Sequence, residues 1–460
     1  MNRNKILAGA VSLALLGMSF NAAADATEDL VNALVTKGVL TEDEGALLTK
    51  GVNGQSKKNS KDIKSKLTIS DKLEKATLYG DIRVRHETRE ADNSAGTDSL
   101  SRNRERYKIT LGVKTEIANN WYTDLALAMG DKGRSDNATL GATSSSGDKY
   151  QDSKQTLYVK RAMIGWNAQD WLTIEAGRIK NPLYTTQMVW DKDLTWDGVA
   201  LKGKWKLDNK QTEIFANLGA DQISGDQKDY DVASDNATNW LLAAQVGGKH
   251  KWDSSSLKTG LTYTDYTHDT EYLTGNALYF TPTAPTADLL ANMYINDLRT
   301  IEIPFTFLTM MGNGTGLKVF GDYVKNLDGD DRWKNAGNLG KDDDTAWMLG
   351  FGLASAKDFK ALDKGSMAKG DWKADIWYQE VGTYSVDPNN VDSDFFDSKV
   401  NMKGTVLKAQ YNIEDNVLFN AAYGHGKVND SSTETAGVSG DTGFNIDNMD
   451  LLQLDVTYKF

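Results

Sequence analysis

The sequence predicts an all-β protein: a 16-stranded antiparallel transmembrane β-barrel with a short N-terminal helical periplasmic segment. Three observations carry that prediction. From Ala76 onward apolar and polar residues alternate with period two, the repeat of a strand with one greasy and one wet face. After Leu16 no apolar run approaches the roughly 18 to 20 residues that a spanning helix needs, so any membrane crossing has to be made with strands. The closing stretch sets Leu452, Leu454, Val456, Tyr458 and Phe460 on one face, with Gln453, Asp455, Thr457 and Lys459 on the other. That pattern suits the last strand of an outer-membrane barrel, the alternative being an edge strand of a soluble sheet.

Taken from its start, the chain opens with Arg3 and Lys5, an apolar run from Ile6 to Leu16 and the small residues Ala22-Ala23-Ala24 before Asp25. This is the layout of a cleaved signal peptide over 1–24, so the mature chain is expected to be exported. There is no cysteine, which removes disulfide scaffolds, thiol catalysis and thiolate metal sites together. The formal net charge is −12, or −14 once Arg3 and Lys5 are gone, which argues against nucleic acid as a partner. With 41 Gly and 5 Pro the composition suits long twisted strands and gives no sign of a disordered or collagenous chain.

Residues 25–75 read as a periplasmic helical segment and a lysine-rich linker. Leu30, Val31, Leu34 and Val35 form a helical stripe stopped by Gly38, and Thr41 with Glu44 makes a capping box that starts a second helix. The linker carries Lys57, Lys58, Lys61, Lys64 and Lys66. It is read as a solvated spacer; the alternative is an element that helps oligomerise the protein or touches the cell wall.

The barrel is assigned to 76–460, with strands over 76–88, 102–117, 121–130, 154–167, 171–180, 197–207, 211–220, 239–251, 255–266, 298–309, 315–326, 345–355, 371–380, 401–413, 416–425 and 449–460. The number is even, and short connections such as 118–120, 208–210 and 252–254 alternate with long ones such as 131–153, 221–238, 267–297, 327–344, 381–400 and 426–448. Short turns on one rim and long loops on the other is the outer-membrane arrangement. On the short rim 356–370 is the exception. Trp121, Trp171, Trp252 and Trp372 all stand beside short turns, where a periplasmic aromatic girdle would lie. Pro304 falls inside a strand and predicts a bulge there.

Alternation assigns the faces. In the second strand Tyr107, Ile109, Leu111, Val113 and Ile117 oppose Arg102, Arg104, Arg106, Lys108, Thr110 and Lys114. Lipid on one side and a wet lumen on the other accounts for both sets. Arg83 and Arg85 of the first strand and Lys202 and Lys204 of the sixth join the expected lumen face. Over 157–166 the pattern is ambiguous; Tyr158, Ala162, Ile164 and Trp166 are assigned to lipid against Leu157, Val159 and Met163. In the fifth strand strict alternation after Ile174 and Ala176 would leave Arg178 in lipid, at roughly 2–4 kcal/mol. Either Gly177 breaks the alternation and turns Arg178 and Lys180 into the lumen, or 178–180 already stand above the membrane. In the first case the connection 181–196 folds into the barrel as a constriction loop and brings Asp191 and Asp193 opposite the basic strands.

No catalytic, cofactor or metal site emerges. His86, His250, His268 and His425 show no repeated ligand spacing, and the acidic loop residues Asp328, Asp330, Asp331 and Asp342 to Asp344 lack a complete calcium ladder.

Several motifs together resemble the putative porin family of Gram-negative outer membranes. They are Gly177-Arg178 with Asn181-Pro182, the run Trp190 to Leu194 leading into Asp197-Gly198-Val199, Asp392-Ser393-Asp394-Phe395 ahead of Asn401 and Gly404, and the opening Lys37 to Glu44. The resemblance implies a passive diffusion channel without naming a solute. The expected function is thus an outer-membrane porin passing small hydrophilic solutes with a modest anion preference; the rivals are a barrel enzyme such as a lipase or protease and a surface-binding barrel working through its long loops. Expected partners are outer-membrane lipid, small hydrophilic solutes and, as one candidate assembly, a homotrimer.

Overall fold

The structure is a computed structural model that describes residues 73–93, 99–130, 135–141, 156–224, 239–267, 297–336, 338, 340–432, 436–437 and 446–460. The chain divides into two units, Met1–Leu73 and Glu74–Phe460, and apart from Leu73 every described residue belongs to the second. The signal peptide, the helical pair and the lysine-rich linker lie outside the described residues.

Sixteen strands form the wall: β1 (Leu73–Asp92), β2 (Ser99–Ile117), β3 (Trp121–Met129), β4 (Leu157–Gln169), β5 (Leu172–Lys180), β6 (Thr195–Lys206), β7 (Thr212–Ser224), β8 (Asn239–Lys251), β9 (Ser255–Tyr266), β10 (Arg299–Glu302 and Phe305–Met310), β11 (Thr315–Asn326), β12 (Thr345–Ser355), β13 (Trp372–Val381), β14 (Met402–Glu414), β15 (Val417–Val428) and β16 (Asn448–Lys459). Each pairs antiparallel with the next, and β16 returns to β1 from Asp81↔Lys459 to Asp92↔Asn448, so the sheet closes. Closure leaves no edge strand, the condition for a sheet to sit in hydrocarbon. The C-terminal residue takes part: the Gly80 amide donates to the Phe460 carbonyl at 2.9 Å and the Phe460 amide to the Gly80 carbonyl at 3.1 Å.

The apolar face points outward. Val84, Leu111, Leu125, Val199, Leu218, Val246, Leu261, Phe351, Ile376 and Leu407 are all exposed on the barrel exterior. In water such a surface would be an aggregation hazard; around a closed barrel it is the lipid belt. The four tryptophans beside short turns are also exposed, and Trp121 stacks on Trp166 and Trp171 on Trp205. Short turns use residues that tolerate left-handed backbone: Asn119 and Asn120 have φ of 62° and 65°, and Asn416 has 64°.

Two breaks in the strands and one long turn shape the interior. The β3–β4 register shifts opposite Ala126 and Leu127, so Lys160 and Arg161 are both buried inside. This bulge resolves the ambiguous stretch: Leu157 and Val159 face out before it, Ile164 and Trp166 after it. Tyr158, assigned to lipid from the sequence, instead turns inward and donates to Asp136. In β10 the ladder breaks at Ile303 and Pro304, where proline has no amide to offer, and the Gly260 amide bonds the Pro304 carbonyl at 3.1 Å. The long connection on the short rim holds helix α2 (Phe359–Lys364; α1 is Gly329–Asn335), capped by Asp358, which accepts from the Ala361 amide at 2.8 Å. Its Leu362 is 1% exposed and packs on the inward residues Leu308 and Ala354, so this turn is longer because it tucks beneath the wall.

Candidate functional site

Two connections on the long rim fold into the lumen and meet there. The first, 181–194, follows β5, which has only nine residues. Gly177 has a φ of 106°, and a side chain there would strike the Ala162 carbonyl, so the position requires glycine. Just beyond, Ile179 and Trp196 are buried with Leu241, Ala243, Tyr266 and Leu298, an apolar seat beneath the loop. The loop is tied to the far wall. The Tyr184 amide donates to Gln245 Oε1 and Gln245 Nε2 returns a bond to the Tyr184 carbonyl, each at 2.8 Å. Thr185 donates to Glu302 at 2.5 Å and Thr186 to Asp322 at 2.6 Å.

The second, 382–401, was read from the sequence as one more outer connection, and the structure corrects this. Tyr384, Val386, Phe395, Phe396, Asp397 and Asn401 are all buried. Phe395 and Phe396 fill the space that Gly424 and Gly426 leave on the inner face of β15; a Cβ at Gly426 would come within 2.6 Å of Phe396. The backbone is left-handed at Phe396, Asp397 and Ser398, with φ of 80°, 58° and 56°. Such conformations cost roughly 1–2 kcal/mol per non-glycine residue and persist only where surroundings fix them. Here the fixing groups are Arg89, which pairs with Asp397, and the Asp392 carbonyl, which accepts from the Ser398 amide at 3.1 Å. On the other side the Tyr266 hydroxyl donates to Asp387 at 2.8 Å.

Asp191 joins the two loops. Its Oδ2 accepts from the Ser393 hydroxyl at 2.7 Å and the Ser393 amide at 3.0 Å, its Oδ1 accepts from the Asp193 amide at 2.9 Å, and its own amide donates to the Asn390 carbonyl at 2.5 Å. Burial and the neighbouring Asp193 raise the Asp191 pKa. Asp193 reaches the wall, 3.6 Å from Lys108 and 3.9 Å from Lys160. Burial opposes its charge, but these lysines outweigh that and lower its pKa.

The wall facing the loops is basic, yet paired. Arg85 binds Asp455 at 2.7 Å and Asp394 at 3.3 Å; Arg83 lies 3.7 Å from Asp455; Arg104 and Arg106 both engage the fully buried Glu87; Lys108 pairs with Asp136 at 2.8 Å. Arg161 binds Asp124 at 3.0 Å, and Lys160 also reaches Asp136. Arg102 is half-buried on the same face of β2. Lys180 and Lys202 line a separate lumen cavity of about 610 Å³ with Lys114, Asp124 and Glu175, and Lys202 pairs with Glu175 at 2.5 Å. Arg178, expected to turn into the lumen, instead stays on the outward face beside exposed Ala162 and pairs with Asp197 across β5–β6 at 2.5 Å, because the ladder passes through Gly177 without a register shift; Lys204 pairs with Glu213 at 3.0 Å. The sequence-predicted cations thus fall into three groups: those at the loops, those at the cavity, and Arg178 and Lys204 in side pairs.

Sequence reading missed Glu87, Arg89, Asp136, Lys160, Arg161, Asp394, Asp397 and Lys408. The available signals were the Lys160-Arg161 doublet, which alternation cannot place on one face without a bulge, and Gly424 and Gly426, whose bare inner face asks for aromatic partners. In the second loop Asp394 is buried, but Arg85 with Lys192, Arg83 and Lys408 holds its carboxyl well below the usual range. Burial pushes Asp392 up to about 7 against the pull of Lys408. Of the histidines, His86 contacts Glu105, His250 contacts Thr212 and His425 contacts Asp450, on separate strands, while His268 lies outside the described residues. No cluster of three or more histidine or acidic residues suited to a metal occurs among the described residues.

Residues 95–286 match a family model described as "Putative porin". No curated protein matches the chain. Among solved structures it is similar to the outer membrane channel DcaP of Acinetobacter baumannii at 10% identity and a TM-score of 0.42, over 84% of this chain and 97% of that one. OpdQ of Pseudomonas aeruginosa gives 12% and 0.42 over 85% and 99%. A loop L8 deletion mutant of OmpT, an outer membrane protein of Vibrio cholerae, gives 14% and 0.41 over 85% and 100%.

Proposed function

We propose that this protein is an outer-membrane porin through which small hydrophilic solutes diffuse, and that 181–194 and 382–401 together form its constriction. The observation that carries this is the pairing of a closed wall, apolar outside, with an interior whose charged side chains and two loops are cross-linked by hydrogen bonds. Loops built only for surface recognition would have no reason to be anchored to lumen carboxylates. The match of residues 95–286 to a porin family model supports the same reading. Outer-membrane lipid is the solvent of the exposed belt, export uses the signal peptide over 1–24, and the working assembly is a homotrimer.

Within this reading the constriction-facing groups are Arg83, Arg85, Arg104, Arg106 and Lys108 against Asp193, with Arg102 above them. Because most of these cations already hold a carboxylate, the anion preference is modest. Single-channel recording of the purified protein in a planar bilayer tests the proposal. Discrete conductance steps in KCl with a reversal potential slightly favouring chloride are expected, and closures in threes report the trimer. A protein that inserts but never conducts would overturn the channel reading.

A further inference from the structure

Below the first inward loop two lysines face each other with no acid between them. Lys249 of β8 and Lys258 of β9 are register partners, and both lie on the inward side, in step with buried Gln245 and Thr262. Directly opposed residues on one face have Cβ atoms about 5 Å apart, and like charges there repel. Among the described residues neither lysine forms an ion pair. The nearest acids are committed elsewhere: Glu213, the register partner of Lys249 on its other side, is held by Lys204 at 3.0 Å, and Asp363 of α2 lies 3.8 Å from Lys318.

What the Lys258 ammonium does have is aromatic support, 3.7 Å from the ring centroid of Tyr184 and 5.1 Å from that of Phe215. A ring face steadies a cation without neutralising it. The Tyr184 hydroxyl bonds Thr306 at 2.6 Å, and Thr306 is the register partner of Lys258 on its second side. Ring, hydroxyls and the Lys258 ammonium thus meet at the foot of the loop, with Lys249 beside Lys258 on the ladder.

We propose that Lys249 and Lys258 form a binding site for a small oxyanion of charge two, such as inorganic phosphate, on the periplasmic side of the constriction. A dianion matches the two unpaired charges, whereas chloride leaves one of them uncompensated. Adjacent ammonium groups in a water-filled lumen are compatible with folding because water and passing anions screen them, and the same screening makes the site weak and fast to empty. The proposal rests on the channel reading above. It adds that anion recognition comes from this pair and not from the arginines of β1 and β2.

The test is current blockade. Single channels of the full-length protein are recorded in KCl at pH 7 while potassium phosphate is added to the periplasmic side. Phosphate is expected to lower or interrupt the current at millimolar concentration; Lys249→Gln and Lys258→Gln each weaken this about tenfold, Lys258→Arg retains it, and Lys334→Gln, exposed on α1 beside Asp330, leaves it unchanged. Heat-modifiability confirms that each variant is folded, and Lys249→Gln stands alone if the Lys258 variants are not. Blockade that survives both glutamine variants, or steps indifferent to phosphate in the unaltered protein, overturns the site while leaving the channel intact. Absence of steps altogether overturns the channel reading instead.

Discussion

Replacing Asp191 by alanine should uncouple the two inward loops. The carboxylate accepts three hydrogen bonds, two of them from Ser393 on the opposite loop at 2.7 and 3.0 Å. Hydrogen bonds to a charged acceptor contribute about 1.5–3 kcal/mol each, so the two cross-loop bonds amount to roughly 3–6 kcal/mol. Burial, which raises the Asp191 pKa, offsets part of this, leaving a net of about 2–4 kcal/mol. At about 1.4 kcal/mol per factor of ten, the equilibrium between joined and separated loops shifts roughly thirty- to several-hundred-fold. Single-channel traces read this directly: Asp191→Ala should show larger or noisier steps with excursions to a wider state, and Asp191→Asn, which keeps one acceptor oxygen, an intermediate behaviour. The chain has no cysteine, so Asp191→Cys combined with Ser393→Cys adds a clean converse, in which oxidation should restore small quiet steps and reduction abolish them. Step sizes and noise in Asp191→Ala identical to the unaltered protein would refute the claim that the paired loops set the constriction.

Four further outcomes are expected. Deleting Phe460 removes two backbone bonds to Gly80 and a ring stacked 5.9 Å from Tyr458, so the amount of heat-modifiable barrel in the outer membrane should fall; unchanged levels would exclude a closing role. On intact cells a tag within 426–448 should be reached by antibody and one at 118–120 should stay hidden, the reverse labelling overturning the orientation. Asp392, with its pKa pushed up to about 7, favours the docked second loop when protonated; docking is therefore strongest below the ordinary carboxylate pKa near 4 and weakens as pH rises toward 7. Current noise should increase from pH 5 to pH 8 and become flat in Asp392→Asn. Exchanging Arg102, Arg104 and Arg106 for Gln strips Glu87 of two partners, so the reversal potential in a KCl gradient should move toward cation preference; no movement would place these arginines away from the ion path.

The barrel was legible because its determinants are local. Period-two alternation, turn residues such as Asn119 and Asn120, and tryptophans at the rim each follow from a few neighbouring residues, and together they set strand number and closure. What alternation cannot see is a break in itself. Lys160 and Arg161 enter the lumen together only because one extra residue is accommodated against β3, and that is a property of the pair of strands. Gly177 is a misleading guide to the first inward loop: its backbone is left-handed, yet the β5–β6 ladder runs on unbroken to Lys180 and the loop turns inward only after the strand ends. The second loop gives no guide: nothing between 382 and 401 distinguishes an outer loop from an inner one until Phe395 and Phe396 are set against Gly424 and Gly426.

The same limit governs the electrostatics. A strand read alone shows Arg102, Arg104, Arg106 and Lys108 on one face and suggests an anion-preferring wall. Its acids arrive from elsewhere: Glu87 from the neighbouring strand, Asp455 from the far end of the chain, Asp136, Asp193 and Asp394 from the loops. Each ion pair replaces a charge by a dipole whose field decays faster with distance, so the arginine wall contributes shape and rigidity more than net potential. A passing ion responds to charge that is not already answered. By that criterion the weight falls on Lys249 and Lys258, which lie across from one another without an acid, and on Lys258 in particular, whose contact with Tyr184 links the charge to the foot of the constriction loop. Exchanging Lys249 and Lys258 together for Gln should therefore move the KCl reversal potential toward cation preference further than breaking the Arg85 to Asp455 pair by exchanging both partners for Gln and Asn, which removes one charge of each sign. The opposite ranking would mean that the wall pairs dissociate in the hydrated lumen and that selectivity belongs to the arginines after all.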